Sequence, residues 1–243
     1  MQGLRFGQRR GADMLSVLAV NYVVAFLVSL SVFLIRLEGW DAPLGGLPLA
    51  MGAVNGVLFV WSIPFLLGGF GTADVGVTTA TLRAASIIPV LVSWYAFGES
   101  MNQYRWIAVA LLLPAMILIR PRDPTRPHLT LKTDLFLLVL FLNAGCIQTT
   151  HKLADINLDV SQQDFYKMVI FGIAAMILAG ILLAKRRVPT VMAVGLGILV
   201  GIVNAGTVFS LLMALHRIPA VIFFPSVSSL TILINVIVSW RLW

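Results

Sequence analysis

The sequence predicts an all-α membrane protein, a polytopic bundle of eight transmembrane helices, and three observations lead there. Hydrophobic residues make up 59% of the 243 and charged residues only 11%, with a mean hydropathy of +0.96. That is more apolar surface than one soluble core can hide. The apolar residues also come in runs near the ~20 that a hydrocarbon core of ~30 Å requires. Finally, these runs are apolar all round, whereas a greasy soluble bundle would need helices with a polar face.

The runs place helices at 14–35, 48–70, 74–97, 103–119, 134–154, 163–184, 189–215 and 219–243. Asp13 and Asp164 stand where helix N-caps are expected, since a short carboxylate accepts from the first free backbone N–H groups. Pro64, Pro89, Pro114 and Pro225 fall inside the runs. Each can kink or break a helix where a neighbour satisfies the freed carbonyl, or mark a packing irregularity only.

A net charge of +7 and a sequence pI near 10.2 would raise nucleic acid in a soluble protein, but here the cations sit in the joints, where membrane topology places them. No nucleic-acid partner is expected. With residues 1–13 cytoplasmic, 120–133 and 185–188 are cytoplasmic as well. That side then holds Arg5, Arg9, Arg10, Arg120, Arg122, Arg126, Lys132, Lys185, Arg186, Arg187 and Arg241, eleven cations, against Arg36, Arg105, Lys152, Lys167 and Arg217, five, on the other. The bias selects a plasma (inner) membrane orientation of that sense. The single Cys146 allows no intrachain disulfide and suggests no metal cluster. Neither a metal nor any other cofactor is expected.

Internal repetition carries the most information. Val92-Ser93-Trp94 recurs as Val238-Ser239-Trp240, an offset of 146, and Gly52-Ala53-Val54-Asn55 recurs as Gly201-Ile202-Val203-Asn204, an offset of 149. Asp13 and Asp164 extend the register with an offset of 151. The first three helices thus correspond to the last three. This register leaves no counterpart before the first helix for 134–154, and none after the eighth for 103–119. A parent of ten helices, five per repeat, is inferred, of which this chain is a fragment lacking the first and tenth; a genuine eight-helix protein is the alternative. The division expected is 1–120 as first repeat, 121–133 as cytoplasmic linker and 134–243 as second repeat. A repeat with an odd number of helices inserts in opposite orientations, so the two would be inverted repeats.

Asn21-Tyr22 in the first helix, and Pro89-Val90-Leu91-Val92-Ser93-Trp94-Tyr95-Ala96-Phe97-Gly98-Glu99 followed by Gln103-Tyr104-Arg105-Trp106, resemble the drug/metabolite transporter superfamily, specifically its EamA-like ten-helix carriers. The resemblance covers nearly the whole chain on short motifs. It implies alternating access around a central cavity lined by the second, third, seventh and eighth helices. A second Gly-Glu, which the pattern would place after Trp243, is not in this sequence.

Arg83 is the sharpest site candidate. It lies nine residues past Asp74, about 13 Å along a helix at 1.5 Å per residue, near the middle of the ~30 Å core. An intramembrane Arg is expensive and should face a wet cavity or a partner. It can serve as counter-charge for an anionic group such as a carboxylate, or lock packing through helix carbonyls. Lys152 and His151 end the fifth helix, where snorkelling competes with a substrate role. Gln148 shares a face with Lys152, four residues on, and Asn143 lies deeper. Asn55 and Asn204 occupy equivalent repeat positions, as helix glue or as path lining. Asn235 and the hydroxyls of Ser226, Ser228 and Ser229 could line a cavity, although Ser and Thr often bond back to their own helix. Glu99 reads as a loop carboxylate, an ion pair or a cap. Gly52/Gly56 and Gly197/Gly201 have the GxxxG spacing that lets backbones approach.

No acid falls in the middle of a helix, which disfavours a proton-coupled exporter of lipophilic cations. The expected function is therefore a secondary transporter of small metabolites, amino-acid-like, anionic, zwitterionic or neutral, working by alternating access in the lipid bilayer, with a homodimer as an allowed assembly. The alternative is a noncatalytic scaffold or assembly subunit, or an inactive transporter fragment. An enzyme is not expected: His151 and His216 lack the Ser, paired-Asp or HExxH partners that intramembrane hydrolysis needs.

Overall fold

The structure is a computed structural model that describes residues 12–36, 46–72, 75–101, 103, 106–107, 110 and 131–242, without the side chains of 70–72, 75–76, 131–132, 232 and 235–242. The helix expected at 103–119 and the linker up to residue 130 lie mostly outside the described residues. Eight helices are described: α1 (Met14–Ile35), α2 (Leu47–Thr72), α3 (Val75–Ala84), α4 (Ile87–Phe97), α5 (Leu131–Asn157), α6 (Val160–Ala184), α7 (Val191–Leu215) and α8 (Ala220–Leu242).

Six spans are long and apolar enough to cross a bilayer: Met14–Ile35, Leu47–Gly69, Val77–Phe97, Thr133–Asn157, Val160–Ala184 and Val191–Leu215; α8 adds a shorter apolar stretch, Ala220–Thr231. The chain is thus an all-helical, multi-pass membrane protein. Exposed Val54, Trp61, Leu199, Ile202 and Val203 suit lipid and would be costly against water.

One expected helix, 74–97, is two. Pro89 has no N–H and its ring crowds the carbonyl four residues back, at Ala85. That carbonyl instead accepts from Ile88 N at 3.1 Å, and the chain turns at Ala85–Ser86 between α3 and α4. Asp164 is also not a cap: α6 starts earlier, at Val160, with Asp159 as N-cap, whose backbone N–H donates to Gln162 Oε1 at 3.2 Å. Asp13 does hold the N-cap position of α1, and its carboxylate accepts from Ser16 Oγ at 2.8 Å.

The helices gather into two compact units, each drawn from both halves of the sequence: Met1–Val60 with Leu153–Met213, and Trp61–Lys152 with Ala214–Trp243. In the first unit, α1 and α6 run antiparallel. Asp13, at the start of α1, accepts from Arg187, just past the end of α6, at 2.9 Å. Arg36, past the end of α1, pairs with Asp164 near the start of α6 at 3.1 Å. Asp13 and Arg36 are 23 residues apart, as are Asp164 and Arg187, about 34 Å of helix. The two clamps therefore stand a membrane thickness apart.

Between the clamps the same contact occurs twice. A Cβ on Gly52 of α2 would lie 2.8 Å from Val169 Cβ and 3.1 Å from the Tyr166 carbonyl oxygen of α6; one on Gly197 of α7 would lie 2.5 Å from Val20 Cβ and 3.0 Å from the Val17 carbonyl oxygen of α1. One turn on, a Cβ on Gly56 would lie 2.7 Å from the Ile170 carbonyl oxygen and one on Gly201 would lie 2.7 Å from the Asn21 carbonyl oxygen. Only glycine admits backbones this close. By contact, Gly52 thus matches Gly197 and Gly56 matches Gly201. That is an offset of 145, not the 149 of the match between Gly52–Asn55 and Gly201–Asn204, because packing selects the small residue and not the text around it.

In the second unit α4, α5 and α8 meet. A side chain at Gly145 of α5 would collide with Ile88 at the start of α4, and Gly69 of α2 receives Thr78 of α3 with its Oγ1 2.9 Å from where a Cβ would stand.

Candidate functional site

The break between α3 and α4 positions the sharpest candidate. Arg83 lies in the last turn of α3, six residues into the 21-residue span Val77–Phe97. Its freed carbonyl accepts from Ser86 Oγ at 2.7 Å, from Ser86 N at 3.2 Å and from Ser228 Oγ of α8 at 3.2 Å. Ser228 Oγ also lies 3.1 Å from Ser86 Oγ. Two hydroxyls thus do in the membrane what water does at a soluble helix end. Of the three serines expected on α8, Ser228 is the one that meets this break. The threonines at 81, 149, 150 and 231 instead bond back to carbonyls four residues earlier, the self-satisfying geometry of hydroxyls in helices.

The Arg83 guanidinium is half-buried, its buried Nε has no hydrogen-bond partner, and no carboxylate pairs with it among the described residues. An orphaned buried donor costs about 1–3 kcal/mol, and a guanidinium at this depth costs more. The guanidinium therefore has no counter-charge among the described residues, and its N–H groups can donate to the oxygen atoms of an anionic or dipolar solute.

Lys152 belongs to the same unit but to its end. It is buried and reaches Glu99, Nζ to Oε1 at 3.2 Å, so it does not snorkel. Glu99 also accepts from the backbone N–H groups of Ala220, at 3.2 Å, and Val221, at 3.1 Å, which are the first donors of α8. Its role is an ion pair combined with a helix cap across 121 residues of chain. Gln148, half-buried, sits one turn inward from Lys152 on α5, and His151 is buried beside it in sequence. The Asn235 side chain lies outside the described residues.

Asn55 and Asn204 belong to the first unit. Asn55, fully buried, donates from Nδ2 to Tyr166 Oη of α6 at 2.7 Å. Asn204 donates from Nδ2 to Asn21 Oδ1 of α1 at 3.3 Å. Each thus reinforces one of the glycine contacts, from different positions: Asn55 precedes Gly56, while Asn204 follows Gly201 by three residues.

Sequence reasoning missed a buried charge cluster. Asp164, 1% exposed, stands inside the Val160–Ala184 span and is held by Arg36 and, at 2.6 Å, by Lys167. Lys167 is buried too and lies over the Phe209 ring of α7, 3.9 Å from its centroid, a cation–π contact. Asp164 stands four residues past the start of α6 and not in its middle; what the structure corrects is its reading as a helix cap. The i,i+3 spacing of Asp164 and Lys167 was the available signal. Among the described residues no group of three or more His, Cys, Asp or Glu could hold a metal ion.

In comparisons with known proteins, no family model and no curated protein matches the chain.

Proposed function

We propose that this chain is a secondary carrier of small metabolites, with Arg83 as the intramembrane binding charge. The observation that carries the reading is a guanidinium six residues into a membrane span with no carboxylate partner among the described residues, next to a helix break whose backbone is already satisfied by Ser86 and Ser228. Broken helices at mid-depth are where carriers place solute sites. The charge favours amino-acid-like, anionic, zwitterionic or neutral solutes. Asp164 does not argue for cation export, because Arg36 and Lys167 already neutralise it.

The antiparallel α1 and α6, with reciprocal Asp–Arg clamps and twin glycine contacts, support descent from two inverted repeats. The motifs noted above favour an EamA-like carrier among such folds. Asp13 and Arg187 meeting at one end supports 1–13 and 185–188 on one membrane face, cytoplasmic by charge bias in a plasma (inner) membrane. A homodimer in the bilayer is compatible with this arrangement.

The test is uptake into proteoliposomes of the purified chain, with radiolabelled amino acids and short carboxylates as the panel. Arg83→Ala is expected to lower uptake of the preferred solute at least ~10-fold, and Arg83→Lys to restore part of it, as a point charge without the bidentate fork would. Undiminished uptake in Arg83→Ala removes this residue from the site.

A further inference from the structure

We infer that Glu99 is a latch on a hinged end of α8, and that releasing it opens Arg83 to the membrane face on which Glu99, Lys152 and Ala220 lie. This rests on the carrier reading above. α4 ends at Gly98, whose φ of 67° places it in the left-handed region, and the N–H groups of Gly98 and Glu99 both reach the Ser93 carbonyl. Glycine takes this turn without strain. The turn sends Glu99 away from its own helix and onto the first two N–H groups of α8.

α8 cannot cap itself. The residue before Ala220 is Pro219, which has no side-chain acceptor, although its carbonyl already takes the N–H groups of Ile222 and Phe223, each at 3.0 Å. The first donors of this helix end are therefore satisfied from another helix, and they are orphaned if Glu99 leaves. Lys152 adds an ion pair on that carboxylate, with side-chain exposures of 9% for the lysine and 15% for the glutamate.

The hinge lies next to the latch. Pro225 has no N–H for the Val221 carbonyl, so α8 loses a rung one turn in from its start. Past it, Ser228 anchors α8 to the Arg83 carbonyl and to Ser86. Two attachment points eight residues apart, about 12 Å, thus flank a proline, and the outer one is ionic. Between them Val221 is 1% and Phe224 3% exposed, so this short segment is packed against its surroundings. Gly145 against Ile88 sets α5 alongside the start of α4, which leaves Gln148 one turn inward from the latch.

The reporter is Gln148→Cys in a Cys146→Ser background, labelled in sealed vesicles by a membrane-impermeant sulfonated thiosulfonate applied at the Glu99 face. Labelling is expected to be slow with the latch intact and at least ~10-fold faster with Glu99→Gln or Lys152→Met. Adding Pro225→Ala, which restores the missing rung, is expected to bring the Glu99→Gln rate back towards the starting value. It also serves where Glu99→Gln loosens the whole fold, because a globally unfolded chain would not be corrected by one rung. Equal rates with and without the latch, or no effect of Pro225→Ala in the Glu99→Gln chain, overturn the inference. Labelling needs no solute, so loss of the carrier reading through Arg83→Ala and loss of the latch are read independently.

Discussion

Asp164 in the first unit and Arg83 in the second show two treatments of charge inside a membrane span. In the first, Asp164 is met by Lys167 and Arg36, and the helices around it approach on glycine until backbone touches side chain. In the second, the charge of Arg83 inside the span Val77–Phe97 has no carboxylate among the described residues, its helix is broken by Pro89, and the hydroxyls of Ser86 and Ser228 are engaged with its backbone carbonyl. The first arrangement suits a frame, the second a binding site. Buried charge is tolerated where it is neutralised locally, and is otherwise retained for what it binds.

Mutations should separate frame from site, and the largest effect is expected at Asp164. Asp164→Asn strands Lys167, 6% exposed at its side chain, without its counter-charge. Breaking one partner of such a pair costs about 3–5 kcal/mol, read as a large drop in the unfolding midpoint in detergent. If the midpoint is unchanged, the first unit is not the frame.

Next comes Gly56→Ala. Its Cβ would stand 2.7 Å from the Ile170 carbonyl oxygen, a backbone atom that cannot rotate away, so α2 and α6 must separate at about 1–3 kcal/mol. Gly201→Ala should behave alike, against the Asn21 carbonyl oxygen at 2.7 Å. Similar losses in the two variants sharpen the twofold reading; a large loss in one alone breaks it.

For Arg83→Ala a small or favourable effect on stability is expected, because removal relieves an orphaned donor. Loss of uptake with an unchanged unfolding midpoint is the signature of a site. A loss of several degrees assigns Arg83 to packing instead.

The smallest effect is at Asp13. Desolvation pushes its carboxyl upward, but the hydrogen bond from Ser16 and the charge of Arg187 outweigh it and hold the carboxyl below its ordinary 3.8. A depressed acid contributes stability that is complete above its ordinary value and lost as pH falls through the lowered one. The difference in midpoint between wild type and Asp13→Asn should therefore be constant from pH 7 down to about 4 and shrink below that. With both side chains well exposed, 54% for Arg187 and 30% for Asp13, it should not exceed about 1 kcal/mol. A difference that grows towards acid pH would contradict the sign.

What the sequence by itself determined is whatever depends on neighbours along the chain. Runs of apolar residues set the spans, because length and hydropathy are local quantities. Counting residues placed Arg83 inside a span, while Pro89 was one of four prolines that could break a helix or mark a packing irregularity only, and the structure shows the break there. The glycine spacing likewise marked contact faces. Tertiary structure alone decided the partners. Arg36 finds Asp164 across 128 residues, Arg187 finds Asp13 across 174, and Glu99 caps a helix 121 residues on. Asp164 looked like a cap and is a buried anion, and Lys152 looked like a snorkelling end and is half of an ion pair. Helix rotation and register choose such partners, and both come from how glycine faces pack. A charge read along the chain therefore has a depth, while its counter-charge is assigned only when the helices meet.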